Sequence, residues 1–270
     1  MAPPPLQRLR PSTTITASIP RIRQILNSFL PDHLPILTKA QMERSLRMTE
    51  RMNIKRVKEG KPVRKRRAPA AVLVPLCTVN NEPAILFTLR SATLSSHAGQ
   101  ISFPGGHADC VGKEREDPVV TATRETKEEL LGHDALLPDP DAAYDFDDDM
   151  EILGQTGPVP ALTGNMVTPI IGALTLDIPS DDAIHHIFPG NPGEVDEVFA
   201  VSVAKLLEGE TAEELKRLGA MGPVFPLPND KEKMIWGLTA IVLRPILHQV
   251  LKPAGFVSPS ISITDQTSKL

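Results

Sequence analysis

One arginine and three glutamates, packed into residues 124–129, are the first group in this chain whose types and spacing could do chemistry. Glu125, Glu128 and Glu129 stand at i, i+3 and i+4 of a helical pattern, so they share one flank of the helix. Like charges at that spacing repel by about 0.2–0.5 kcal/mol per pair. A hard divalent cation with oxygen ligands removes that repulsion and adds coordination energy. Mg²⁺ suits such a flank, because it takes one or two carboxylates and completes its shell with water and substrate phosphates. Arg124 reaches Glu128 at i+4, or Glu116 just before the helix, so its part is to hold carboxylates. Taken alone, the four residues could equally form a solvated charged face. The context upstream argues otherwise. Gly105-Gly106 lacks any Cβ and lets backbone approach a ligand closely, while Pro104 stiffens the turn. A glycine turn leading to a metal-bearing helix makes a cradle for a pyrophosphate, with backbone groups and cations facing its oxygens.

The elements that must position these residues are legible around them. Asp117 as N-cap and Pro118 at the first helical position start a helix that runs to Leu131, with Gly132 suited to its end. Val119, Ala122, Thr126 and Leu130 form its apolar stripe. Upstream, residues 71–77 and 84–88 are short apolar runs separated by Asn80-Asn81, a hairpin signal. Downstream, residues 150–153 and 168–176 read as strands, residues 195–203 as a strand entering a helix over 204–218, and residues 235–251 as a buried helix. Strands interleaved with helices predict an α/β layered domain over 68–252. Residues 1–20 read as a disordered lead, and residues 21–59 as one or two helices within an N-terminal extension over 1–67. Residues 253–270 read as a flexible tail.

At this point the chain resembles a known family. The Nudix signature runs from a glycine through a lone glutamate to Arg-Glu, an apolar residue, any residue, Glu-Glu, any residue and Gly. Here Arg124-Glu125-Thr126-Lys127-Glu128-Glu129-Leu130 matches the second half, and Glu116 takes the place of the lone glutamate. Residues 86–91, His97, Gly99-Gln100 and Phe103-Pro104-Gly105-Gly106 resemble the extended signature of the coenzyme A diphosphatase branch, and residues 235–240 resemble its C-terminal helix. The resemblance covers about 70–250. Three departures stand out: an extra loop at 110–115, Leu131 in place of the closing Gly, and no arginine near Ser95.

This resemblance implies a Nudix fold, an α/β/α sandwich with a mixed central sheet. It implies Mg²⁺ or Mn²⁺ held by Glu125, Glu128 and Glu129, helped by a backbone carbonyl near Gly106. Glu125, Arg124 and Glu129 become the catalytic set, with Glu125 as the base. Glu194 and Glu197 are rivals for base or extra ligand, and Glu116 has a blurred role because of the extra loop. Arg90, Ser91, Gly99, Gln100, Gly105 and Gly106 become substrate-binding residues; Arg90 is the candidate for a phosphate, its alternative being a structural ion pair. The implied reaction is hydrolysis of coenzyme A or acyl-CoA to 3′,5′-ADP and the 4′-phosphopantetheine half. A second reading keeps the fold and changes the substrate to NADH, ADP-ribose or capped RNA. The proline- and aromatic-rich element usual in NADH-cleaving relatives is missing, and Trp236 is the sole tryptophan. A third reading, a binding module, predicts lost carboxylates, and all three are kept.

Composition sets the outer bounds. Net charge is −4, but residues 51–67 hold nine basic residues against one acid, and residues 133–149 hold seven aspartates with no Lys or Arg. The basic run carries no interleaved aromatics, so it reads as a solvated linker and no nucleic-acid partner is expected. The aspartate-rich stretch lacks the glycine and final glutamate of a calcium loop. Two cysteines, Cys77 and Cys110, build no disulfide framework and fit an intracellular compartment. No apolar run is long enough to span a membrane. Ser268-Lys269-Leu270 is the tripeptide read by a peroxisomal import receptor, and peroxisome is the expected address. The arginine- and serine-bearing start, acid-free before Asp32, offers mitochondrion as the alternative.

Overall fold

In the computed structural model, residues 8–62, 68–94, 97–112, 114–131, 144–215, 220–228, 230 and 232–257 are described. The chain opens with β1 (Arg10–Pro11), α1 (Thr13–Asn27) and α2 (Lys39–Lys58), then the hairpin β2 (Ala70–Val79) and β3 (Glu82–Arg90). Short strands follow: β4 (Ile101–Ser102), β5 (Gly105–His107), β6 (Cys110–Val111) and β7 (Glu114–Arg115). Next come α3 (Pro118–Leu131), α4 (Phe146–Asp149), β8 (Met150–Gln155), β9 (Val159–Pro160), β10 (Met166–Ile178) and α5 (Asp181–Ile187). The last part holds β11 (Val195–Ser202), α6 (Val203–Gly209), β12 (Thr211–Leu215), β13 (Ala220–Pro226), β14 (Met234–Ile235), α7 (Gly237–Ile246), a π-helical turn (Leu247–Leu251) and α8 (Lys252–Ala254).

The main sheet runs β1-β10-β2-β3-β11, with β10 and β2 parallel and the other neighbours antiparallel, so it is mixed. β2 lies between two partners and is buried on both faces, which is why residues 71–77 read as a continuous apolar run. Alternation sorts its side chains. Val74 and Leu76 join one core with Ile15, Ile19, Ile22 and Leu26 of α1 and Val242, Leu243 and Ile246 of α7. Ala71, Leu73 and Cys77 join the other with Ala122 and Leu130 of α3 and Ile184 and Ile187 of α5. Helices therefore cover both faces of a mixed sheet, the expected α/β/α sandwich. Asn80 (φ 52°) and Asn81 (φ 61°) both take the left-handed conformation that a tight two-residue hairpin turn demands.

Three expectations are corrected. The lead is shorter than 1–20, because α1 starts at Thr13 with Ser12 as its cap and its isoleucines enter the core. The helix expected over 204–218 ends at Gly209; extended backbone at Glu210 sends the chain into β12, which pairs with β13. The segment 235–251 is not one helix, but the end of β14, α7 and the π turn.

The site is positioned by β2. Its first residues pair with β5 (Val72 with Gly105, Ala71 with Gly106), and α3 packs across β2 and β5. This brings the glycine turn directly against the glutamate-bearing helix.

Candidate active site

Helix α3 begins as its sequence prescribes. Val119 N–H donates to the Asp117 carboxylate at 2.8 Å, and the Asp117 carbonyl accepts from Thr121 at 2.9 Å. The apolar stripe turns inward, with Ala122, Thr126 and Leu130 all buried. The three glutamates do not share one environment. Glu129 lies beside the stripe and its side chain is only 3% exposed, whereas Glu125 and Glu128 are 19% and 27% exposed. Gly132, the expected helix end, lies outside the described residues, as does Ser95.

Arg124 is the hub. It donates to Glu116 through Nε at 3.1 Å and Nη2 at 2.9 Å, to Glu125 at 3.0 Å, to Glu128 at 3.3 Å and to the His107 carbonyl at 3.2 Å. The guanidinium holds the Glu116 carboxyl down at about 2, with Thr121 and the Asp109 N–H adding to the effect against partial burial. The loop before α3 thereby keeps Glu116 on the arginine: β6 and β7 form a small hairpin whose neighbours Asp109 and Glu116 are hydrogen-bonded through their backbones.

Glu129 is held differently. Its carboxylate accepts from Arg90 at 3.3 Å and from the Gly105 N–H at 3.2 Å. Burial dominates its proton affinity and pushes it up to about 7; Arg90 and Gly105 oppose the shift, and Glu194 and Glu125 reinforce it. Glu125 is also raised, first by burial, with Arg124 opposing and Glu128 and Glu194 adding. The four carboxylates of Glu125, Glu128, Glu129 and Glu194 thus form one electrostatically coupled group.

The glycines are required by close approach. A Cβ on Gly106 would sit 2.2–2.6 Å from the Glu125 carboxylate atoms, and one on Gly105 would sit 2.3 Å from the Ala71 carbonyl oxygen. Gly105 also has φ +146°, outside the range of ordinary side chains.

The remaining expected residues lie around Arg90. Its backbone N–H donates to the Gln100 carbonyl at 3.0 Å, and its carbonyl accepts from Gly99 at 3.0 Å. The Gln100 side chain meets His97 Nδ1 at 2.8 Å, giving His97 a structural partner. Ser91 is buried; its hydroxyl meets that of Thr93 at 3.0 Å, and its N–H donates to the Glu194 carbonyl at 2.8 Å. Glu197 faces Lys233 at 3.6 Å and does not enter the coupled group around Glu129. Ser268, Lys269 and Leu270 lie outside the described residues.

Sequence reasoning offered an ion pair for Arg90 but not Glu129 as its partner, and it missed the contact of Gly105 N–H with Glu129. Neither is local: Arg90 is separated from Glu129 by four short strands, their loops and most of a helix. The only available hint was that Glu129 sits next to the apolar stripe.

The donor set suits a hard divalent cation: all its ligating groups are carboxylate oxygens, and two carry proton affinities raised by burial that a cation would relieve. Among the described residues no three His, Cys, Asp or Glu side chains already converge as a metal cluster. The glutamates are instead turned to Arg124 and Arg90.

No family model matches the chain. Curated relatives do. Over 184 residues it is 34% identical to the uncharacterized Nudix hydrolase NudL of Photorhabdus laumondii, covering 67% of this chain and 84% of that one. Over 207 residues it is 34% identical to the mitochondrial coenzyme A diphosphatase NUDT8 of Mus musculus, covering 75% of this chain and 87% of that one. Among solved structures, the Nudix hydrolase RenU of M. smegmatis aligns with a TM-score of 0.37 and 19% identity, over 53% of this chain and 76% of that one. The assignment rests on the sequence relatives. The chain belongs to the Nudix hydrolase superfamily and is a Nudix pyrophosphohydrolase, of an enzyme class that generally uses divalent metal ions.

Proposed function

We propose that this enzyme hydrolyses the diphosphate of coenzyme A or an acyl-CoA, releasing 3′,5′-ADP and 4′-phosphopantetheine or its acyl form. The observation that carries this reading is the likeness to a coenzyme A diphosphatase over three quarters of the chain. Glu125, Glu128 and Glu129 would hold Mg²⁺ or Mn²⁺. When bound, the cation neutralises diphosphate oxygens and activates water for attack on phosphorus. The new bond forms between water oxygen and one phosphorus, the bridging P–O bond breaks, and the water proton passes to a carboxylate.

Glu125 is the proposed base. It is partly exposed and lies directly against Gly106, the backbone proposed to face the diphosphate. Glu194 is the second candidate because it belongs to the same electrostatic group. Glu197 is the weaker candidate, since it meets Lys233. Arg124 orients Glu125 and Glu128 without touching substrate. Arg90, through its pairing with Glu129, is a positioning residue first; its uncommitted donors are available to a substrate phosphate. Ser91, Gly99 and Gln100 shape the loop that carries Arg90, and Gly105 and Gly106 lay backbone beside the diphosphate.

The address is proposed to be mitochondrial or peroxisomal. The mitochondrial relative supports the N-terminal one, although a leader cut after residue 27 would remove core residues of α1. Ser268-Lys269-Leu270 supports peroxisomal import, and a fluorescent N-terminal fusion lacking Leu270 should leave peroxisomes if that tripeptide is read. For the activity, purified enzyme with Mg²⁺ is offered CoA, acyl-CoA esters, NADH, ADP-ribose and capped RNA. Preferential release of 3′,5′-ADP from CoA or its esters supports the reading; preference for any other member of the panel overturns it.

A further inference from the structure

Trp236, the sole tryptophan, is 39% exposed, whereas every Phe and Tyr among the described residues is buried or half-buried. It joins β14 to α7, where it stands as the N-cap and its indole supplies no capping bond. Its place is fixed relative to the catalytic group. β14 packs beside β4, and the Thr239 hydroxyl on the first turn of α7 donates to the Ile101 carbonyl at 3.3 Å. β4 in turn pairs with β3 through Thr88 and Leu89, directly before Arg90, whose guanidinium meets Glu129. An exposed indole therefore stands beside β4, one strand over from the segment of β3 that leads into Arg90.

The charge nearby does not explain it. Lys233, three residues earlier, lies 3.6 Å from Glu197 and 3.8 Å from Asp230, so its ammonium is already partnered. What this edge offers a ligand is a flat π surface, and the substrate half that has a matching flat surface is the purine base. We propose that the adenine ring of the nucleotide half stacks on Trp236, making it a specificity residue that sets the direction in which the substrate lies across the site. The pantetheine half then extends away from α7. This inference rests on the pyrophosphohydrolase reading and deepens it by saying which end of the substrate goes where.

A single tryptophan makes the test direct, because its fluorescence reports one position only. The Mg²⁺-loaded enzyme is titrated with 3′,5′-ADP and, separately, with 4′-phosphopantetheine, with binding followed in parallel by calorimetry. Saturable quenching by 3′,5′-ADP and none by phosphopantetheine is expected. In turnover, Trp236→Ala should raise KM for CoA about ten- to hundredfold, the size of a lost base–aromatic stack, with kcat nearly unchanged, and Trp236→Phe should restore most of it. Calorimetric binding of 3′,5′-ADP that leaves the emission unchanged overturns the proposal, as does an unaltered KM in Trp236→Ala. Should CoA prove not to be a substrate while ADP-ribose is hydrolysed and quenches the emission, the coenzyme A reading fails and the base platform stands.

Discussion

Two carboxylates a helical turn apart differ here because Glu129 is buried more deeply than Glu125. Glu129 has little solvent, one arginine at 3.3 Å and one backbone N–H at 3.2 Å, and its proton affinity rises to about 7. A carboxyl raised in the fold stabilises at low pH, and that contribution is lost as pH climbs from its unfolded value toward 7. In the metal-free enzyme, Glu129→Gln should therefore stabilise by about 1–3 kcal/mol near pH 8 and by much less near pH 5. Thermal unfolding in EDTA at both pH values checks this, and a Gln variant less stable than its parent near pH 8 would contradict it. Gly106→Ala tests the opposite end of the contact. Its new Cβ would overlap the Glu125 carboxylate, so turnover should fall about a hundredfold, the size expected for a small misplacement of a reacting group. The measurement is kcat alongside circular dichroism, and near-normal kcat would mean that Glu125 has room that the geometry denies.

Helix α3 serves two faces, one sealing the core with Ala122 and Leu130 and the other carrying the acids, and this was largely readable in advance. Asp117, Pro118 and the spacing of the stripe are local signals, and so is the reach from Arg124 to Glu128. What escaped was burial: periodicity places Glu129 beside the stripe but does not say how deep the sheet will draw it. The end of α6 escaped for a related reason, because Glu210 serves tertiary contacts rather than helix. Its carboxylate meets Arg244 Nε at 2.5 Å and His248 Nε2 at 2.6 Å, fastening the start of β12 to α7 and the π turn. Burial opposes its charge, yet these hydrogen bonds prevail and hold its carboxyl below the usual range. Such a group stabilises at neutral pH and loses that contribution as pH falls through its lowered value. Glu210→Gln should cost about 1 kcal/mol at neutral pH, modest because both partners are substantially exposed, and the gap from the parent should shrink in acid. Denaturant unfolding at the two pH values measures it, and an equal gap at both would mean that the pair contributes packing alone.

The layered architecture was legible because its signals are short-range: an Asn-Asn turn with both residues left-handed, a central strand apolar throughout, and a capped helix next in line. The N-terminal region was less so. Ile15, Ile19, Ile22 and Leu26 carry helical spacing, but basic and serine-rich neighbours resemble an address, and only the assembled sheet shows that they fill its first core. The composition of the active site follows from the same assembly, since β2 is the strand against which both the glycine turn and the acidic helix lie. All of this converges on one claim, that carboxylates gathered beside Gly105 and Gly106 hold a divalent cation on a diphosphate. The most direct measurement is release of 3′,5′-ADP from CoA by the parent enzyme and by Glu129→Gln, each with saturating Mg²⁺ and with EDTA. The parent should turn over only with the metal, and the Gln variant, folded and at least as stable, should lose nearly all turnover. Full activity in the Gln variant, or in the parent under EDTA, would contradict the account.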